Sequence, residues 1–524
     1  MLTYDDVPRA FNLASYFVDR NLEEGRGDRT ALIGPEGPTT YAELAALVNR
    51  SGNVLRELGV RAEERVLLVL ADGVEFVAIW YGAQKVGAVT AEAYTFLQPK
   101  DYAYYLDYTR ASVVVADAAT LERVREAVVS SPWLRRVLVV GAREELRPAE
   151  ASFDALAADV PDELEPAPTT RDDIAIWKFT TGSTGLPKAA VHPQHSPLLS
   201  FDWYACGVLD LRKDDVVLPV PKLFFGYARD LTALYPFGVG AAGIVFPERT
   251  TPERIFALVA RHRPSILVQV PTMMAAMTAH PDAARHDLSC LRLCTSAGEA
   301  LPRELYERWR AMFGVEVLDG IGSSEAYHIY ISNRPGRVRR GSVGEVVPGY
   351  RARVLDEDGQ DVPDGEVGTL WIEGDTVALL YWNEHEKTKR TFSGDLVNTG
   401  DLFVRDRDGF FWYRGRSDEL LKVGGIWVAP AEIEHCLISH PDVAECAVVG
   451  YEHEGLTMTR AHIVLRPGIA GSEALAAALR EHARKHLSPH KFPRDVRFVA
   501  ELPKTPSGKV DRRALRAELE TVRA

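Results

Sequence analysis

The segment Lys178–Lys188 reads KFTTGSTGLPK, and it combines hydroxyls, glycines and one terminal cation in a single loop. Glycines let the backbone approach a ligand closely, hydroxyls and amide N–H groups donate to phosphate oxygens, and Lys188 adds a point charge. A Walker A motif has Gly-Lys followed by Ser or Thr, whereas here Pro187 precedes Lys188 and Ala189 follows it. The loop is therefore suited to phosphates without being a Walker A motif, and on its composition alone a plain surface turn stays an open alternative.

Five further segments follow in a fixed order: SAGEA at 296–300, DGIGSSE at 319–325, NTGD at 398–401, YRGRSD at 413–418 and PKTPSGK at 503–509. Together with TTGSTGLPK at 180–188, they resemble the motifs of the acyl-adenylate-forming superfamily. That superfamily includes acyl-CoA synthetases, luciferases and the adenylation domains of peptide synthetases. The resemblance extends from about Tyr41 to the end of the chain. It implies an enzyme that activates a carboxylic acid with ATP and Mg²⁺, releases pyrophosphate, and transfers the acyl group from AMP to a thiol.

The size and charge of the chain limit the classes of protein that fit. A chain of 524 residues exceeds the size at which one hydrophobic core keeps growing, so two or more domains are expected. The 61 basic and 74 acidic residues give a net charge of -13, which argues against a nucleic-acid partner. The five cysteines lack metal-ligand spacing, and no long uncharged apolar stretch occurs. We expect a cytoplasmic protein with no membrane partner.

The order of apolar runs predicts the fold class. Short runs at Val66–Leu70, Val113–Ala116, Val137–Val140, Val216–Val220 and Ile266–Val270 alternate with amphipathic segments, which indicates parallel α/β layers. Closely spaced strands and turns between 341 and 411 predict a β-rich subdomain. By resemblance, residues 1–416 form an N-terminal adenylate-forming core, and residues 417–524 form a small, mobile α+β lid domain that carries the catalytic lysine.

The resemblance also implies the nucleotide site. Thr180, Lys188 and the loop between them would hold the β- and γ-phosphates, and Glu325 would bind Mg²⁺ through a hard oxygen anion. Asp401 would accept hydrogen bonds from the ribose hydroxyls. The implied catalytic residues are Lys509, Glu325 and Thr180. The implied ATP-binding residues are Thr181, Gly182, Ser183, Thr184, Gly185, Lys188, Gly298, Glu299, Ala300, Asp319, Gly320, Ser324, Asp401, Tyr413 and Arg416.

Two positions near the C-terminus carry the expected change of conformation. By resemblance, Lys509 bridges the attacking carboxylate and the α-phosphate in the adenylation step, as electrostatic stabilisation of developing charge. Asp418 matches the hinge about which the lid domain rotates before thioester transfer.

The acyl pocket decides the substrate. The stretches Lys222–Tyr227 and Asp319–Tyr330 resemble benzoate-CoA ligases, which makes an aromatic acid a candidate. The expected substrate-binding residues are Asp230, Val220, Phe224, Phe225, Gly226, Tyr227, Leu293, Ala297, Gly322 and His328.

Asp230 departs from the benzoate-CoA ligase pattern, because those enzymes continue from the tyrosine with an uncharged Gly-Leu-Gly-type turn. A buried carboxylate needs a cationic partner. If a substrate ammonium supplies it, the chain is similar to the stand-alone β-amino acid adenylation enzymes of macrolactam polyketide pathways, whose acceptor is an acyl carrier protein. Residues Thr90–Tyr94, which also depart from the aryl-ligase pattern, favour this interpretation weakly. It is our leading hypothesis.

Two alternatives remain open. If Asp230 pairs with Arg229 or caps a helix, the protein is an aryl-CoA ligase of the benzoate type, with CoA as the acceptor. A non-catalytic nucleotide-binding protein is disfavoured, because Lys188, Glu325, Asp401 and Lys509 are all present.

Overall fold

The computed structural model describes residues 1–142, 145–181, 186–419, 421–423, 426–453, 456–487, 492–505 and 510–521. The chain forms two compact units, one of residues 1–352 with 371–399 and one of residues 353–370 with 400–524. The boundaries between these units fall at 352/353, 370/371 and 399/400, not at the expected position 416/417. The expected domain boundary stays a prediction. Strand Leu396–Arg405 pairs Asp401 with Arg416 of strand Phe411–Arg416, so residues 400–416 stay within the second unit.

The first unit contains an eight-stranded sheet around the loop that opened the sequence analysis. Its six strands from Ile174–Thr181 to Glu150–Ser152 pair in parallel, whereas Ile174–Thr181 and Pro187–Pro193 form an antiparallel pair. Across the sheet, the strands are Leu380–Tyr381, Pro187–Pro193, Ile174–Thr181, Val89–Glu92, Arg65–Val69, Val113–Asp117, Arg136–Val140 and Glu150–Ser152. The runs expected at Val66–Leu70, Val113–Ala116 and Val137–Val140 are confirmed as strands to within a residue.

A nine-stranded sheet completes the first unit, and its four strands from Val216–Pro219 to Val317–Gly322 pair in parallel. Across the sheet, the strands are Glu345–Val346, Ile329–Ser332, Val317–Gly322, Leu293–Ser296, Ile266–Gln269, Val216–Pro219, Ala242–Ile244, Thr30–Gly34 and Gly37–Thr40. The helices of the unit are Arg20–Glu23, Tyr41–Glu57, Val74–Lys85, Pro99–Thr109, Leu121–Ala127, Phe153–Asp159, His195–Ser200, Gly226–Ala233, Tyr235–Val239, Pro252–His262, Pro271–Ala279, Arg303–Phe313 and His385–Thr391. The parallel α/β interpretation is confirmed.

The second unit is α+β. A core of Val428, Ile433, Leu437, Val448 and Ile463 lies between its helices and a three-stranded sheet. The sheet consists of Val443–His453, Leu456–Leu465 and Asp495–Phe498, beside the hairpin Leu421–Val423 with Ile426–Val428. Its helices are Pro430–Ile438, Glu473–His486 and Arg512–Thr521. Strands Arg351–Leu355 and Val367–Glu373 begin in one unit and end in the other, and Phe392–Ser393 belongs to the first. None of the helices in the described ranges combines the length and apolar character needed to cross a membrane.

Candidate active site

The predicted phosphate loop follows one strand of an antiparallel pair and precedes the other, and the pairing of the two strands fixes its ends. Thr180 lies opposite Lys188, and Thr181 lies opposite Pro187. The ammonium of Lys188 lies 3.6 Å from the ring centroid of Tyr381. The predicted phosphate ligands Gly182, Ser183, Thr184 and Gly185 lie outside the described residues, and only the backbone of Thr181 is described. The hairpin therefore places a cation and a hydroxyl residue side by side at the base of the loop.

Glu325 lies beside the same tyrosine. The hydroxyl of Tyr381 donates a 2.5 Å hydrogen bond to Oε1 of Glu325. His192 Nε2 lies 2.6 Å from the carbonyl oxygen of Ser324, which fixes the turn before Glu325. A carboxylate accepts hydrogen bonds through two oxygens, and oxygen ligands are those that Mg²⁺ prefers. Glu325 would therefore offer a magnesium ion an oxygen ligand of the kind that it prefers.

The SAGEA segment provides a backbone surface that suits a base, and Asp319, opposite Ser296 on the neighbouring strand, provides a polar atom. Gly298 has a φ of +87°, a conformation that glycine adopts without strain. The carboxylate of Glu299 accepts hydrogen bonds from the amide and hydroxyl of Thr272, which leaves backbone rather than the Glu299 side chain for an adenine. Oδ1 of Asp319 is buried and has no hydrogen-bond partner among the described residues. A donor such as the amino group of adenine would satisfy it, so the site fits a nucleotide.

The predicted ribose ligands lie in the second unit. Asp401 and Arg416 pair across two antiparallel strands, and Nη1 of Arg416 lies 3.4 Å from Oδ1 of Asp401. Tyr413 lies on the same strand as Arg416, with its ring 5.5 Å from that of Phe403. The backbone of Asp418 is in the 3-10 turn Ser417–Glu419, and Lys509 lies outside the described residues. The roles of these residues stay predictions.

Aromatic rings surround His328, a predicted pocket residue three positions after Glu325. The rings of Tyr204, Tyr227 and Tyr235 lie 5.4, 5.6 and 5.1 Å from the imidazole. Burial lowers the pKa of His328 to about 3, so the ring is neutral at physiological pH. A second group of rings joins Tyr94, Phe224 and Phe225 at 5.0 to 5.1 Å. The predicted pocket walls are therefore largely aromatic.

Four predicted pocket residues have packing roles in the structure. A Cβ on Gly322 would lie 2.3 Å from the carbonyl oxygen of His328, so this position needs glycine, and one on Gly226 would lie 2.9 Å from Cε of Lys178 and displace that side chain. Val220 belongs to a hydrophobic cluster under the nine-stranded sheet. Leu293 is 2% exposed in a central strand of that sheet.

Ala297 and Ala300 follow this strand, and the sequence predictions for them stay open. A Cβ on Gly320 would lie 2.8 Å from the carbonyl oxygen of Ile331.

Asp230 is fully buried and bonded to two cations of its own chain. Its Oδ2 lies 2.6 Å from Nζ of Lys178, and its Oδ1 accepts from Nε and Nη2 of Arg229 at 3.0 and 2.9 Å. Arg229 also donates to Oε1 of Glu92 at 2.6 Å, and so does the indole of Trp80. Burial alone would raise the pKa of Asp230, but Arg229 and Lys178 lower it to about 2. The structure favours the ion-pair alternative for Asp230 over a substrate ammonium.

Lys178 completes this four-charge cluster, which we define as Glu92, Lys178, Arg229 and Asp230. Its ammonium also donates to the carbonyl oxygen of Tyr327 at 2.6 Å and lies 3.5 Å from that ring centroid. Sequence reasoning assigned no role to Lys178, although a lysine in the apolar run Ile174–Phe179 is the signal that a buried anion faces it. The departure from the aryl-ligase pattern at Thr90–Tyr94 has a different explanation from a substrate amine, because Glu92 binds Arg229. Tyr381 gave no sequence signal.

Comparison with known proteins agrees with this geometry. The AMP-binding enzyme family model matches residues 18–382, and the model of its C-terminal domain matches residues 432–509. The benzoate-CoA ligase of Thauera aromatica is 42% identical over 98% of this chain and 97% of its own length. The anthranilate-CoA ligase AuaEII, solved with anthranoyl-AMP, is 38% identical with a TM-score of 0.94 over 99% of each chain. A benzoate-CoA ligase from Burkholderia xenovorans LB400 is 42% identical with a TM-score of 0.89, over 97% of this chain and 100% of its own.

The chain belongs to the AMP-binding enzyme family, within the acyl-adenylate-forming superfamily. It is an AMP-forming acid–thiol ligase that uses ATP with Mg²⁺ to form an acyl-adenylate.

Proposed function

We propose that the protein activates an aryl carboxylic acid as its adenylate and transfers the aroyl group to CoA. The observation that carries this proposal is the pairing of Asp230 with Lys178 and Arg229, which occupies both carboxylate oxygens with internal cations. Such an Asp230 supplies no unpaired anion for an ammonium group. The aromatic side chains around His328 match an aromatic ring, and the similar proteins named above act on benzoate or anthranilate.

Each group of residues has a part in this reaction. ATP with Mg²⁺ supplies the adenylyl group and a pyrophosphate leaving group. Lys188 and Thr180 hold the phosphates, and Glu325, oriented by Tyr381, holds the metal. By resemblance, Lys509 stabilises the charge that develops as the carboxylate attacks the α-phosphate. Rotation about Asp418 then presents the other face of the lid domain for thioester formation.

A β-amino acid with an acyl carrier protein as acceptor is the second candidate. Asp230 lies three residues beyond Tyr227, whose ring packs against His328, so a carboxylate lies next to the predicted pocket wall. Anthranilate belongs to both candidate substrate classes, because it is an aryl acid whose amino group is β to the carboxyl group. That amino group is uncharged at neutral pH. It needs no carboxylate partner, so the four-charge cluster is compatible with anthranilate.

A pyrophosphate-release screen tests the proposal. Benzoate, 2-aminobenzoate, aliphatic β-amino acids and α-amino acids are compared at equal concentration, and the best acid is then offered CoA or a phosphopantetheinylated carrier protein. We expect kcat/KM to be highest for benzoate or 2-aminobenzoate, and CoA to be acylated. Preference for an aliphatic β-amino acid over both aryl acids would reject the proposal in favour of the second candidate.

A further inference from the structure

Cys436, His482 and His486 form a cluster in the second unit that has no part in the reaction described above. Cys436 lies on helix Pro430–Ile438, and both histidines lie on helix Glu473–His486. The histidines are four residues apart, which places them on one face of that helix. The sulfur of Cys436 and one ring nitrogen of each histidine all lie within 4.8 Å of one another. We call these three residues the Cys-His cluster.

Hydrogen bonds orient both imidazole rings within the cluster. Nδ1 of His486 lies 2.8 Å from the carbonyl oxygen of His482, and a carbonyl only accepts, so this nitrogen carries the proton. Nε2 of His486 therefore keeps its lone pair. The ring of His482 is held between the helices by the carbonyl oxygen of Cys436 at 3.1 Å and the hydroxyl of Ser439 at 3.0 Å. A metal-binding histidine commonly holds its other ring nitrogen against such a carbonyl.

The donor set selects the kind of metal. A thiolate and two imidazoles are ligands that Zn²⁺ prefers, whereas Mg²⁺ prefers oxygen. Around a tetrahedral zinc ion, with bonds of about 2.1 to 2.3 Å, neighbouring ligand atoms lie about 3.5 Å apart. Small rotations of side chains already within 4.8 Å would reach that geometry. His486 is exposed, so an ion can enter from solvent.

We propose that Cys436, His482 and His486 bind one Zn²⁺ ion, with water as the fourth ligand. The ion joins helix Pro430–Ile438 to helix Glu473–His486, which are separated in sequence by strands Val443–His453 and Leu456–Leu465. Because binding a folded site shifts the unfolding equilibrium, zinc stabilises this unit. Sequence spacing gave no sign of the site, because Cys436 and His482 are 46 residues apart.

The test uses the full chain, freed of metal with a chelator and kept reduced. Zinc is titrated calorimetrically with Mg²⁺ in excess, and Co²⁺ replaces it for absorption spectroscopy. We expect one equivalent of Zn²⁺ that Mg²⁺ does not displace, and a thiolate-to-cobalt charge-transfer band. Cys436→Ser should remove the band, and His486→Gln should weaken zinc binding by at least about tenfold.

Matched controls separate the site from incidental thiol or imidazole binding. Cys206→Ser removes an exposed cysteine and His385→Gln an exposed histidine outside the cluster, and both should keep the titration and the band. Pyrophosphate release measured without zinc confirms that Cys436→Ser and His486→Gln are folded. The proposal is overturned if the wild type lacks the cobalt band, or if folded His486→Gln binds zinc as tightly as the wild type.

Discussion

The hydroxyl of Tyr381 donates a 2.5 Å hydrogen bond to the carboxylate of Glu325, while the Tyr381 ring lies 3.6 Å from the ammonium of Lys188. One side chain thus contacts both the proposed magnesium ligand and the proposed phosphate ligand. The two residues come from distant parts of the chain, so their spacing depends on strand Leu380–Tyr381 at the edge of the eight-stranded sheet.

Tyr381→Phe keeps the ring beneath Lys188 and removes the bond to Glu325. A hydrogen bond to a charged group is worth about 1.5–3 kcal/mol, so adenylation should slow by about 10- to 100-fold, with a higher Mg²⁺ requirement. Acid-dependent ATP–pyrophosphate exchange at graded Mg²⁺ concentrations measures both effects. Tyr4→Phe removes an exposed bond to Asp172 and serves as the control. Equal behaviour of the two variants would contradict the role of Tyr381.

Asp230→Asn leaves Lys178 and Arg229 with Glu92 as the one remaining anion of the cluster. Breaking a buried pair commonly costs about 3–5 kcal/mol, so we expect a lower free energy of unfolding in urea and similar losses of kcat/KM for aryl acids and amino acids. Asp287→Asn, in an exposed pair with Arg263 at 2.8 Å, should cost about 1 kcal/mol or less. A loss confined to aminated substrates would show instead that Asp230 binds the substrate amine.

Lys509→Ala should slow ATP–pyrophosphate exchange by several orders of magnitude. The substitution removes an oriented charge worth about 3–5 kcal/mol in the adenylation transition state. Thioester formation from supplied acyl-adenylate should persist, since Lys509 acts in the first step alone. Lys504→Ala, in the same segment but paired with Glu445, is the matched control and should keep both steps. Parallel loss of both half-reactions in Lys509→Ala would argue against two separate conformations.

Acid should weaken the fold through His192. Burial and the nearby Lys178 ammonium lower the pKa of His192 to about 3, whereas an unfolded imidazole titrates near 6.5. Between these values the unfolded chain binds a proton that the folded chain excludes. The contribution of His192 to the free energy of unfolding is thus highest above about pH 6.5 and falls by about 1.4 kcal/mol per pH unit below it.

His192→Gln removes this titration, and urea unfolding at a series of pH values measures the difference. The variant should be less stable than the wild type near neutral pH, and the gap should narrow as the pH falls below about 6.5. A constant gap across the series would mean that His192 does not titrate on unfolding.

Sequence reasoning found the elements whose signals are local. The apolar runs predicted the central strands to within a residue, and Ser472 accepts a hydrogen bond from the amide of Leu475 to begin helix Glu473–His486, a local capping signal. The motifs indicated a separate role for Asp401 and for Arg416, but they did not predict that the two residues pair across neighbouring strands. Strand register is set by long-range contacts.

The identity of partners for buried charges could not be predicted. Asp230 was recognised as a carboxylate that needs a cation, and its neighbour Arg229 was one candidate. Lys178 reaches Asp230 and Glu92 reaches Arg229 because their two strands pair in parallel, a three-dimensional relationship that one sequence does not encode locally. For the same reason, Tyr381 was overlooked, since its two contacts lie 56 residues or more away in the chain.

The four-charge cluster holds two carboxylates and two cations, so its formal charges cancel. Any single neutralising substitution leaves one charge uncompensated in the protein interior, whereas replacing an acid and a base together restores balance. The effects of substitutions within the cluster on stability are therefore non-additive. Libraries that vary one of these four residues at a time will recover mostly unstable variants. A redesign that alters Asp230 will therefore need to change Lys178 or Arg229 with it.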